Sequence, residues 1–147
     1  MDTPVSALIE RKGSVVHSVA STFTIAEAVA EMNKKRIGCI VIMDSGKIAG
    51  IFTERYVLRR VIGADLDPKT VRVADVMTTD VHMIAPDTKV EQTMVLFAEK
   101  QCRHIPVVEK GELKGLISIG DISRWVADTS QAEADHLKNY ISGGFHA

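Results

Sequence analysis

Displaced by 65 positions, this chain of 147 residues falls on itself without a gap: Val16-His17 on Val81-His82, Ile40 on Ile105, Gly46 on Gly111, Gly50 on Gly115, Thr53 on Ser118 and Arg59 on Arg124. Self-similarity at a fixed offset means one supersecondary unit used twice. A single unit of about 60 residues buries only about 60% of the surface of its unfolded chain and is marginal alone. Two units sharing one core are the expected solution.

The unit is clearest from Arg103 to Asp121. Ile105 to Val108 and Leu113 to Ser118 read as the strands of a hairpin, with Glu109-Lys110-Gly111-Glu112 as its turn, delivering into a helix at Gly120-Asp121. Earlier in the chain, Val5, Leu8 and Ile9 share one face of an opening helix, Val5 to Lys12, which Gly13 stops. Val15 to Val19 alternates as a strand. Thr24 and Glu27 have capping-box spacing, and Ile25, Ala28, Val29 and Met32 form the apolar face of the helix that follows. Ile40 to Met43, the turn Asp44 to Lys47 and Ile48 to Thr53 make the first hairpin, and Glu54 to Ile62 a helix carrying Arg55, Arg59 and Arg60.

After a linker at Gly63 to Lys69 and a helical turn at Asp75 to Thr78, the order recurs. A strand from Val81 to Ile84, a helix from Val90 to Gln101, the second hairpin and a helix from Asp121 to Ala127 are expected. A separate polar helix from Asp128 to Ile141 carries Ala134, Leu137 and Ile141 on one face, closed by Gly143-Gly144. The expected divisions are residues 1–14 (N-terminal helix), 15–63 (first repeat), 64–78 (linker and lead-in), 79–128 (second repeat) and 129–147 (C-terminal helix and tail). The fold class is α/β (α+β): two strand-helix-strand-strand-helix repeats related by a pseudo-two-fold axis, with two clefts related by the same axis.

A formal net charge of −1 without a basic run argues against a nucleic-acid partner. No apolar run approaches the roughly 20 residues that cross a bilayer, so a cytoplasmic location without membrane contact is expected. Cys39 and Cys102 stand at non-equivalent places among apolar residues and read as buried free thiols. No catalytic triad order or zinc-protease motif is present, and Gly46-Lys47 lacks the flanking residues of a phosphate loop, so no catalysis is expected. What the pattern does offer is an anion site. Ser118 or Gly120 caps a helix whose free N–H groups face outward, and Asp121 in the first turn is placed to accept two hydrogen bonds from a diol. The same residues also serve simply to stabilise a helix start.

Arg103-His104-Ile105-Pro106-Val107, Gly115-Leu116-Ile117-Ser118-Ile119-Gly120-Asp121 and the lead-in Asp75-Val76-Met77-Thr78 resemble the paired cystathionine-β-synthase (CBS) domain, or Bateman, module, over about residues 5 to 128. The resemblance implies a small homodimer that binds an adenine nucleotide, with AMP foremost and NAD or ATP as alternatives, requires no cofactor and regulates another, unknown chain. It further implies that Asp121 holds the ribose hydroxyls, Ser118 contacts the ribose-phosphate, and Arg103 reaches the phosphate with Arg55 from the other repeat. The adenine would lie among Val16, His17 and neighbouring strand residues, with Leu116 beneath it. Thr53, Val81, His104, Ile105 and Pro106 complete the implied nucleotide-binding set. The first repeat departs from the pattern: Tyr56 stands where the second has Asp121, its ring available for stacking on a base, and Gly38-Cys39 where the second has Arg103-His104. A ligand-free module for dimerisation and partner docking is the competing reading.

Overall fold

The computed structural model describes residues 2–139. Its organising elements are two hairpins: β2 (Cys39–Asp44) with β3 (Lys47–Thr53), and β4 (His104–Glu109) with β5 (Glu112–Ser118). Each turns through two residues with positive φ, Ser45-Gly46 at 52° and 76° and Lys110-Gly111 at 51° and 78°. That is the type I′ geometry whose twist matches the flanking strands. Each hairpin also bulges at the same repeat position, between Ile42 and Met43 and between Val107 and Val108. A short parallel strand, β1 (Ser18–Val19), joins β2, giving sheets of three and two strands.

Helices cover these sheets: α1 (Val5–Lys12), α2 (Ile25–Lys35), α3 (Glu54–Tyr56), α4 (Val90–Lys100) and α5 (Ile119–Asn139). The Thr24–Glu27 capping box forms in both directions, with the Glu27 N–H donating to Thr24 Oγ1 at 3.1 Å and the Thr24 N–H to Glu27 Oε1 at 3.0 Å.

The expected single core is in fact two. One gathers Ile25, Ala28, Met32, Ile40, Ile42 and Phe52 of the first repeat, completed by Val73 and Val76 from the segment that leads into the second. The other gathers Ile84, Val90, Phe97, Ile105, Val107 and Ile117 of the second repeat, completed by Val5, Leu8 and Ile9 of α1. Each lead-in therefore crosses to the opposite repeat. Two glycines at equivalent positions make room for it. A methyl group built on Gly50 would lie 2.6 Å from the Thr78 carbonyl oxygen, and one on Gly115 would lie 2.7 Å from Ile9 Cδ1. Paired backbone hydrogen bonds between Ile51 and Thr78, 3.0 and 2.9 Å, seal the first crossing, while the Val5 and Val90 N–H groups donate to Thr88 and Thr3 at the second.

Four sequence expectations are corrected. The strand expected over Val15–Val19 is only Ser18–Val19, and that over Val81–Ile84 is reduced to a single bridge from Ile84 to Val107. Pro106 explains the difference between the repeats. Its counterpart Val41 donates its N–H to the His17 carbonyl at 3.2 Å, a bond that proline has no hydrogen to make. The helix expected over Glu54–Ile62 is α-helical only to Tyr56 and continues as a π-helix, Val57–Ile62, closed by a hydrogen bond from the Gly63 N–H to the Leu58 carbonyl. Finally, the two helices expected after Ser118 are one, α5, because no Gly or Pro interrupts Asp121–Asn139. Within it Ala134 and Leu137 are exposed rather than docked; Ile141 and Gly143-Gly144 lie outside the described residues.

Candidate functional site

Both hairpins end alike. The residue after the second strand returns a hydrogen bond to the residue before the first: the Glu54 N–H to the Gly38 carbonyl and the Ile119 N–H to the Arg103 carbonyl, both 3.0 Å. The pseudo-axis sets the end of β3 against the start of β4, and between them opens a cleft of about 530 Å³. The first repeat lines it with Thr53, Glu54, Arg55, Tyr56, Arg59 and Arg60, the second with Phe97, Gln101, Cys102, Arg103 and His104.

Thr53 is 6% exposed, and its hydroxyl is buried without a hydrogen-bond partner among the described residues. A buried hydroxyl left unpaired costs about 1–3 kcal/mol, so an acceptor or donor brought by a ligand is favoured there. Around it the charge is lopsided. Arg55, Arg59 and Arg103 make no ion pair among the described residues, and Glu54 is the one carboxylate in the lining. Such a cleft has the means to hold an anion between two repeats.

Tyr56 is already engaged. The Thr78 hydroxyl donates to Tyr56 Oη at 2.8 Å, Phe52 meets the ring edge-on, and the Arg60 guanidinium lies 3.7 Å from the ring centroid. Arg60 in turn donates to the Val76 carbonyl at 2.8 Å and to Thr78 Oγ1 at 3.0 Å. One ring face is thus taken by a cation of the chain itself, and the face expected for a base is reduced accordingly. His104 is half-buried, and burial, with help from Lys12 and Arg103 and against the pull of Asp121, lowers its pKa to about 4. Its imidazole is neutral near pH 7. Burial raises the Cys102 thiol above its ordinary value and pushes that of Cys39 to about 12, so both are protonated near neutral pH.

Asp121 is elsewhere. It is 7% exposed and lines a second, smaller hollow of about 190 Å³ with Lys12, Arg124, Trp125, Asp128, Leu8 and Arg11. The Ser118 N–H donates to Asp121 Oδ2 at 2.8 Å and the Asp121 N–H to Ser118 Oγ at 3.1 Å, a capping box for α5. Burial alone would raise the Asp121 carboxyl. Hydrogen bonds from Lys12 and Ser118 outweigh it and hold the pKa below the ordinary value.

The structure therefore divides the residues that the sequence groups together. Thr53, Arg55, Arg103 and His104 meet in the large cleft, whereas Asp121 belongs to the small hollow and Ser118 to its cap. Leu116 is half-buried and gives its carbonyl to Lys12, while Ile105 and Pro106 are buried in β4. Val16, His17 and Val81 are half-buried and line neither cleft. Sequence reasoning assigned no role to Arg59, Arg60 or Glu54, although the arginines were visible on their helix, and it missed Lys12, whose pattern is that of an ordinary helix C-terminus.

No helix among the described residues is long and apolar enough to cross a membrane. The family model described as the CBS domain matches residues 3–63 and 73–128. A CBS domain-containing protein of Arabidopsis thaliana, mitochondrial by its name, is 36% identical over 127 residues, 83% of this chain and 62% of that protein. The chain thus spans less than two thirds of that relative. A crystal structure of a CBS-domain containing protein from Agrobacterium tumefaciens superposes with a TM-score of 0.79 at 35% identity, covering 83% of this chain and 98% of the other. A candidate signal-transduction protein with CBS domains from Burkholderia ambifaria gives 0.81 at 34% identity, covering 84% and 93%.

Proposed function

Since the chain belongs to the CBS-domain family and carries two copies of that domain, we propose that it is a non-catalytic regulatory module that binds an adenine nucleotide in the cleft between its repeats. The observation that carries this reading is the unpartnered buried hydroxyl of Thr53 inside a cleft whose free guanidinium groups come from both repeats. The cleft volume of about 530 Å³ lies within the roughly 300–1,000 Å³ of small-molecule sites. Arg55 and Arg59 on one side and Arg103 on the other suit a phosphate. Each charge-assisted bond contributes about 1.5–3 kcal/mol, so micromolar binding near −8 kcal/mol is in reach. A ligand held from both sides biases the angle between the repeats, and that angle is the output.

Thr53→Val tests it. Valine keeps the shape and removes the hydroxyl. Calorimetry with AMP, ADP, ATP and NAD should find a nucleotide whose affinity falls about three- to tenfold in the variant, the loss of one hydrogen bond. The free variant should be equally stable or up to about 1 kcal/mol more stable, because the hydroxyl has no partner to lose. Absence of nucleotide binding by the parent chain refutes the reading.

A second reading, association between copies, is favoured by Leu58 and Ile62, which are 64% and 67% exposed and one π-helical turn apart. In sedimentation experiments, Leu58→Glu with Ile62→Glu separates a chain that pairs through this face from one that does not.

A further inference from the structure

The two ends of this pseudo-symmetric body are unequal, and one side chain makes them so. At the end of β3 the Thr53 hydroxyl is unpartnered above a large cleft. At the corresponding end of β5 the side-chain oxygens of Ser118 and Asp121 all have partners. Ser118 Oγ accepts from the Asp121 N–H, Asp121 Oδ1 accepts from Arg124 Nη2 at 2.6 Å, and Asp121 Oδ2 accepts from both the Ser118 N–H and Lys12 Nζ, the latter at 2.6 Å. Lys12 Nζ also donates to the Leu116 carbonyl at 2.8 Å. An ammonium with two protein acceptors thus fills the position where a ligand would reach the carboxylate.

The ammonium arrives on a braced support. Ile9 packs on Gly115, and Arg11 forms an ion pair with Asp128 and lies 5.8 Å from the Trp125 ring centroid. The hollow beside the ammonium, between α1 and α5, is about 190 Å³, below the range that admits a drug-sized molecule. The first repeat has no lysine there, because the residue 65 positions after Lys12 is Met77, which packs on Gly50; its own cation, Arg60, covers one face of the Tyr56 ring and leaves the Thr53 hydroxyl unpartnered.

We infer that Lys12 determines which cleft takes ligand: its ammonium serves as a built-in occupant of the second cleft, so that the chain binds one nucleotide, in the first cleft, and removing Lys12 opens a second nucleotide site at Asp121. The inference rests on the nucleotide reading of the first cleft. The freed Asp121 Oδ2 would accept from a ribose cis-diol, and Arg124 beside it is placed to meet a phosphate.

Calorimetry on the intact chain with ATP and with AMP decides it by stoichiometry. The parent chain and Lys12→Arg, which keeps the cation, should bind one nucleotide per chain. Lys12→Ala should bind two, and adding Asp121→Asn should return it to one. Two nucleotides on the parent chain, or one on a natively folded Lys12→Ala, overturns the inference while leaving the first-cleft reading intact. Binding by Lys12→Ala alone supports the role of Lys12 and refutes the first-cleft reading, and binding by neither overturns both. Should Lys12→Ala fail to fold, Thr53→Val in the parent background decides: a single binding phase displaced as a whole supports one site, and an undisplaced phase overturns it.

Discussion

His104 faces Ser118 across the β4–β5 ladder and lines the large cleft. With its folded pKa lowered from 6.5 to about 4, the unfolded chain takes up the proton first as pH falls, so stability declines from about pH 6.5 down to about pH 4 and is level below that. Between pH 7 and pH 5 the loss from this one group is about 2 kcal/mol. Urea unfolding should show it, and His104→Asn should flatten the dependence over that window. Asp121 acts lower on the scale. Its depressed pKa contributes stability that is present above the unfolded value of about 3.9 and lost as pH falls through the folded one. The candidate positions Thr53, Arg55, Arg103, His104 and Asp121 were all named from the sequence, through the resemblance of its repeated motif. Their partition between two clefts was not, because spacing within one repeat says nothing about which face of the other repeat it meets. Lys12 was least legible of all: its acceptor is 109 positions away, and a lysine closing a helix is ordinary.

At the scale of elements, the two crossing segments bear differently on their glycines. Gly50 faces a carbonyl oxygen, held by paired backbone bonds, whereas Gly115 faces the tip of a movable isoleucine. Gly50→Ala should therefore destabilise by about 3 kcal/mol and Gly115→Ala by about 1 kcal/mol, overpacking being least costly where a side chain yields. Equal costs in denaturant titrations would contradict this. The hairpins could be read from the sequence to within a residue or two, since Gly46 and Gly111 mark turns whose backbone few other residues adopt. The lost strand at Val81–Ile84 was written in Pro106 but outweighed by the likeness of Val81-His82 to Val16-His17. The π-helix left no pattern at all, because one extra residue in a turn changes no hydrophobic period over so short a span.

For the molecule as a whole, the division into two cores, each finished by the other repeat's lead-in, ties the repeats together without fusing them. In the proposed function, a nucleotide gripped by Thr53 and Arg55 on one side and Arg103 on the other would act on that junction. At 100 times its dissociation constant it should add about 2.7 kcal/mol, a rise of a few degrees in Tm for a chain of this size. Solution scattering should change with it, and identical curves with and without saturating nucleotide would dismiss a change of angle as the signal. The crossing has a further consequence for how the chain is made. As it leaves the ribosome, the first repeat stays incomplete until Val73 to Thr78 have emerged, and α1 stays without a resting place until β5 has followed. Half of this pair is therefore not half a protein: α1 must wait with Val5, Leu8 and Ile9 uncovered, because the hairpin that shelters it belongs to the repeat made after the one it precedes.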